Sequence, residues 1–206
     1  MWARRYHAIV VSDEEEAQVG RLAYLLAHGV KEGLVARPQD WPGVHCVAAL
    51  LGGGTLAGTW FDRTALYAAA KRGEEKTAFD FAEPEVVAFA PLPCWAQLSP
   101  EAVRTRVAEL VETLVEDARR SRGSRPPMGR QAIVKQHPHE RPMRSNRSPA
   151  PAVHAASKAI RLMLRTAYWE FVASFRAAAE RLRRGDRLVD FPRGAFPPPL
   201  PCTAPT

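Results

Sequence analysis

Two groups of residues have the types and spacing to do chemistry. The first is Tyr24, with Arg21 three positions before it, His28 four after and Lys31 seven after. A phenol, with a pKa of about 10, is a poor nucleophile at neutral pH unless neighbouring cations or a metal stabilise developing negative charge. The second is His137-Pro138-His139, two histidines one residue apart. A proline between them suits a loop better than a central strand, and two histidines fall short of a full metal ligand set. The pair is therefore not taken as a metal site. Gly52-Gly53-Gly54 lacks the lysine and following helix of a phosphate-binding loop. Cys46, Cys94 and Cys202 form no CxxC pair, which fits a reduced, cytoplasmic setting.

The elements that would position these residues can be read from caps and periodicity. Residues 6–11 have strand composition. Ser12 and Glu15 have capping-box spacing, which predicts a helix from Ser12 to about Lys31 or Glu32, closed by Gly33. On that helix Val19, Leu22, Leu26 and Val30 form an apolar stripe, while Tyr24 lies roughly 140° away, near Arg21, His28 and Lys31. That face would surround the phenol with cations, although solvent-facing tyrosines on amphipathic helices are also common. Downstream, RPQDWPG (37–43) is a turn-rich connector and 44–51 a short apolar segment. Asp62 caps a helix to about Arg72, and Val86–Leu92 reads as extended. Ser99-Pro100-Glu101 starts a strong helix whose stripe Val103, Val107, Leu110, Val111, Leu114, Val115 and Ala118 is core. Glu109, Glu112 and Glu116 would be its solvent face. A long helix from about Pro151 to Arg184 ends at Gly185, and a proline-rich tail occupies 191–206.

The net charge of +7 is not spread evenly. Residues 119–147 hold nine Arg or Lys, including Arg119, Arg120, Arg122, Arg125 and Arg130, against the single acid Glu140. Such a segment suits phosphate neutralisation with little sequence preference, or a solvated linker between helices. Its glycines, prolines and serines predict a flexible basic loop at 119–150, and its lack of interleaved aromatics argues against base stacking. At 46% hydrophobic residues the chain can build a core. No run approaches the roughly 20 apolar residues of a membrane span, so no membrane partner is expected.

The stretch LAYLLAHGVKEGLVARPQDWPGVHC (22–46) resembles the end of the catalytic domain of REP-associated tyrosine transposases, a single-tyrosine family of DNA transposition and recombination enzymes of mobile elements. There a tyrosine-bearing helix runs into a Tyr-Ile-x-x-Asn-Pro-Val-Lys-x-Gly-Leu-Val pattern and then a Pro, Asp-Trp/Tyr-Pro connector. Tyr24 falls on the tyrosine. Val30, Lys31, Gly33, Leu34 and Val35 fall on the second half of the pattern, and Arg37, Pro38, Asp40, Trp41 and Pro42 on the connector. WARRY (2–6) is similar to the aromatic-basic strand before that helix. The sequence departs at His28-Gly29, where the family has Asn-Pro, and at Val44-His45, where it has Ser-Ser. Residues 52–206, with PLPCW (91–95) and SPAP (148–151), also look like a C-terminal extension found on some members.

The resemblance implies Tyr24 as the nucleophile on DNA, with Arg4, Arg5, Arg21, His28 and Lys31 beside the strand, and single-stranded or hairpin DNA as partner. It also implies a divalent metal, Mg²⁺ or Mn²⁺, held by a His-hydrophobic-His pair. Only His7 precedes Tyr24, so no metal ligands are assigned in this chain, and strand cleavage is not expected of it. The expected fold class is mainly α with minor β. Residues 1–51 would be a truncated remnant of an α/β transposase domain, and 52–206 a mostly helical extension. An exposed sheet edge left by truncation would favour pairing, so a homodimer is one expected assembly. The alternative is a non-enzymatic, basic, nucleic-acid-binding helical protein, with the helices at 99–118 and 151–184 paired and the basic loop joining them.

Overall fold

The computed structural model describes residues 9–137 and 152–196. In chain order the elements are β1 (Val10–Val11), α1 (Glu15–Leu26), α2 (Val47–Gly52), β2 (Thr55–Phe61), α3 (Arg63–Lys71), β3 (Ala82–Ala88), α4 (Pro100–Arg122), α5 (Arg130–Lys135), β4 (Val153–His154) and α6 (Lys158–Arg183). The fold is mainly helical with two small sheets. The chain divides into two compact units, one of residues 1–17 with 146–206 and one of residues 18–145. The 51/52 boundary expected from the resemblance falls within α2.

In the smaller unit β1 pairs in parallel with β4, Val10 with Val153 and Val11 with His154. Glu14 ties the start of α6 to this pair. Its carboxylate accepts from the backbone N–H groups of Ala156 (2.7 Å) and Ser157 (2.9 Å) and from the Ser12 hydroxyl (2.7 Å). These donors, the Ser12 hydroxyl foremost, hold the Glu14 carboxyl below its ordinary range. The helix expected from Pro151 begins instead at Lys158, because residues 153–154 are committed to the sheet and Ser157 caps it, accepting from Ile160 N–H. Gly185 follows α6 at φ +100°, as its position predicts. The described start of the proline-rich tail, residues 191–196, packs back and turns. Phe191 packs its ring 5.4 Å from that of Phe175, and Ala195 N–H closes a turn onto Pro192.

The larger unit is built around α4. Val107 and Val111 are buried against Leu22, Leu26, Val47 and Trp95, and the rest of the expected α4 stripe up to Val115 packs around them. Each such side chain contributes roughly 1.5–3 kcal/mol on burial, enough to fix α1, α2 and α4 together. Gln18 secures the 3-10 turn at Pro93–Trp95 by accepting from Cys94 N–H (3.1 Å). Asp62 caps α3 as expected, accepting from Thr64 and Ala65 N–H, both at 2.9 Å. On either side of α3, β2 and β3 pair antiparallel from Thr55↔Ala88 to Phe61↔Ala82. TLAGTWF has no clean alternation, so β2 is not evident without its partner.

Two expectations are corrected here. α1 stops at Leu26 rather than near Lys31, and residues 27–33 continue as successive turns. The cause is Gly29 at φ +82°, a left-handed conformation that breaks the helical ladder. A Cβ there would lie 2.9 Å from Cε3 of Trp41, so the connector's tryptophan packs directly on the glycine. The basic segment is also not one loop among the described residues. α4 continues through Arg119, Arg120 and Arg122, and Arg130 opens the short helix α5. Arg119 and Arg120 reach back to Glu116 and Asp117 at helical spacing, and three arginines in the last turn complement the negative end of the helix.

Candidate nucleic-acid interface

Tyr24 stands on the exposed side of α1, opposite the buried Leu22 and Leu26, with 45% of its surface open. Its ring carries two cations, Arg21 Cζ at 5.0 Å and Lys31 Nζ at 4.5 Å from the centroid, and the His28 ring meets it edge-on at 4.8 Å. The three neighbours named from helical spacing therefore all stand against its ring. Lys31 reaches the ring although it lies beyond α1, because the turns after Leu26 curl back. Leu34 and Val35 N–H both donate to Gly29 O, and Gly29 N–H donates to Glu32 Oε2 at 2.8 Å. The Glu32 carboxylate also lies 3.5 Å from Lys31 Nζ. Gly29 and its contact with Trp41 thus set where Lys31 sits.

His45 lies below this surface. Its Nδ1 accepts from Val47 N–H (3.1 Å) at the start of α2, which assigns the neutral ring's proton to Nε2. Nε2 is buried without a well-aligned partner. Burial pushes the His45 pKa down, the nearby His28 adds to this, and the poorly aligned Leu25 carbonyl opposes it. Sequence reading passes over His45 because its neighbours in space, Leu25 and His28, are about one helix away along the chain.

The second half of the surface comes from the end of α4. After Gly123 (φ +65°) the chain turns back and forms two backbone hydrogen bonds, Met128 N–H to Gly33 O (2.9 Å) and Gly129 N–H to Leu34 O (2.8 Å). A cleft of about 330 Å³ lies between these strands of chain. Lys31, Glu32 and Gly33 form one wall, and Ser121, Arg122 and Arg125 the other. Arg122 is anchored by Nε–H donation to Arg125 O (2.9 Å). Of the basic residues expected to meet DNA, the structure brings Arg21 and His28 to Tyr24, Lys31 to both the tyrosine and the cleft, and Arg122 and Arg125 to the cleft. Arg119 and Arg120 are paired with acids on α4, and Arg130 heads α5. Arg4 and Arg5 lie outside the described residues, as do Pro138 and His139 of the histidine pair. Ser121 and Glu32 were not anticipated. The signal for Ser121 is the continuation of α4 past Ala118 to Arg122, which carries both residues on one helix end.

Among the described residues no three His, Cys, Asp or Glu side chains gather as metal ligands, and no helix is long and apolar enough to cross a membrane. Nothing in the protein-family models, the curated proteins or the solved structures matches the chain significantly.

Proposed function

We propose that this chain is a DNA-binding protein related to the single-tyrosine transposases, with Tyr24 at the position of the family nucleophile. The observation that carries the reading is the placement of Lys31. Its ammonium covers the exposed Tyr24 ring, and the same residue lines the cleft that also holds Arg122 and Arg125. The tyrosine helix and the basic segment, read separately from the sequence, so become one cationic surface. Such a surface suits phosphates by charge rather than bases by sequence. The bound form would be single-stranded or hairpin DNA. The family's histidine pair has no counterpart in residues 1–23, where His7 stands alone, so the activity proposed for these 206 residues is binding without cleavage. In the family's chemistry a Mg²⁺ or Mn²⁺ ion would polarise the phosphate.

Fluorescence anisotropy with a labelled hairpin DNA tests this. Four contacts, from Arg21, Lys31, Arg122 and Arg125, predict a log–log salt slope near −3, at about 0.7 per phosphate on single strands. Absence of binding at low salt would overturn the reading. With Mg²⁺ or Mn²⁺ the hairpin is expected to stay intact. Efficient nicking that disappears in Tyr24→Phe would refute the non-cleaving assignment and strengthen the family relationship.

A further inference from the structure

We infer that the cleft between Lys31–Gly33 and Ser121–Arg125 is a phosphate-binding pocket. The inference rests on the DNA reading for what carries the phosphate, and on the cleft alone for the phosphate chemistry. Three basic residues, Lys31, Arg122 and Arg125, line about 330 Å³ of space together with one acid, Glu32. That carboxylate is already engaged by Gly29 N–H and Lys31, so among the described residues of the lining it leaves the arginines without an acid. Arg125 is the telling member. Its guanidinium makes no hydrogen bond or ion pair among the described residues, whereas Arg37, Arg119 and Arg120 each find an acid within the unit. Complementing the α4 dipole does not account for it, since Arg125 lies beyond the helix and Lys31 comes from another part of the chain.

The pocket is also preorganised. Pro126 restricts the backbone of Arg125 to extended conformations, and the Arg122 Nε–H bond to Arg125 O fixes the two residues relative to each other. The paired backbone bonds from Met128 and Gly129 hold the opposing wall. A guanidinium anchored through Nε keeps its terminal nitrogens for a forked contact to phosphate oxygens, and the Ser121 hydroxyl adds a donor. The volume lies at the lower end of the range for small-molecule sites, about 300–1,000 Å³, so it suits one phosphate with its sugar rather than a larger ligand.

The test uses the full chain at constant ionic strength, with chloride replaced by inorganic phosphate, followed by amide NMR and by anisotropy with 5′-phosphorylated and unphosphorylated hairpin DNA. Phosphate is expected to shift the Gly33, Ser121 and Arg122 amide signals, and the double variant Arg122→Gln/Arg125→Gln to lose that response. The same variant is expected to weaken hairpin binding about tenfold and flatten the salt slope by about 1 to 2. The control Arg119→Gln/Arg120→Gln, also at the end of α4, should change affinity less than about threefold. Glu32→Gln, which keeps an acceptor for Gly29, should tighten phosphate binding.

Equal responses of wild type and the Arg122/Arg125 variant to phosphate would overturn the pocket, as would equal losses in the two double variants. Those results leave DNA binding by wild type standing. Phosphate shifts in the cleft without hairpin binding would support the pocket, assign it to a free phosphate, and refute the DNA reading. A stronger hairpin complex with the 5′-phosphate would support a terminal phosphate as occupant, and equal complexes that both need Arg122 and Arg125 a backbone one.

Discussion

Tyr24 and Trp95 are both aromatic rings with a cation over one face, and they belong to different kinds of region. Trp95 is 3% exposed in the core with Val107 and Val111, and Arg106 Cζ lies 5.7 Å from its ring. Tyr24 is 45% exposed and carries two cations at shorter range. The contact type is the same, so the contact alone does not mark a functional site. Burial separates the two. At Trp95 the guanidinium lies near a ring that is itself packed into the core cluster. At Tyr24 the cations stand where a phosphate can reach them, and exposed pairs of this kind contribute only about 0.5–1 kcal/mol to stability.

The contrast can be broken by substitution. Trp95→Ala should cost about 3–5 kcal/mol, from lost burial and the cavity left behind, measured by urea unfolding, while hairpin affinity of the folded protein stays unchanged. A loss below about 1 kcal/mol would mean that the core does not depend on the ring. Gly29→Ala should cost about 1–2 kcal/mol for its positive φ alone, with Trp41 forced aside as well. Because it moves the Lys31 turn, it should weaken hairpin binding too. Wild-type affinity in that variant would remove Lys31 from the proposed DNA surface.

A smaller effect follows from His45. Its folded pKa lies below the ordinary value of about 6.5 that the unfolded chain retains. The unfolded state therefore binds the proton first as pH falls. The stability that the neutral ring contributes is complete above about pH 6.5, declines as pH drops through the folded pKa, and then levels off. Urea midpoints between pH 8 and 5 should show this decline, and His45→Gln should remove it. Tyr24→Phe should be the mildest change, within about 0.5 kcal/mol of wild type in stability. A large loss would place Tyr24 with Trp95 as a structural ring.

Much of this arrangement is legible locally. Asp62 and Ser99 announce α3 and α4, and the valine and leucine spacing of α4 names the side chains that reach Trp95. The face of α1 that carries Tyr24 follows from its distance to the Leu22–Leu26 stripe. The early end of α1 is not legible, because Gly29 alone is compatible with a helix or a break, and Trp41 pressing on it selects the break. The β2–β3 pairing is hidden for a related reason, since Thr55 meets Ala88 across the whole of α3.

The composition and order of residues thus determined α3 and α4 with their caps, the local concentration of arginine and the cationic side of Tyr24, since each depends on neighbours within a turn or two. Which arginines stand beside Lys31 was decided by tertiary structure. The bonds from Met128 and Gly129 to Gly33 and Leu34 select Arg122 and Arg125, and the acids on α4 engage Arg119 and Arg120. Charge counts along a chain are blind to that choice. It depends on backbone hydrogen bonds between distant segments, which leave no periodicity in the sequence.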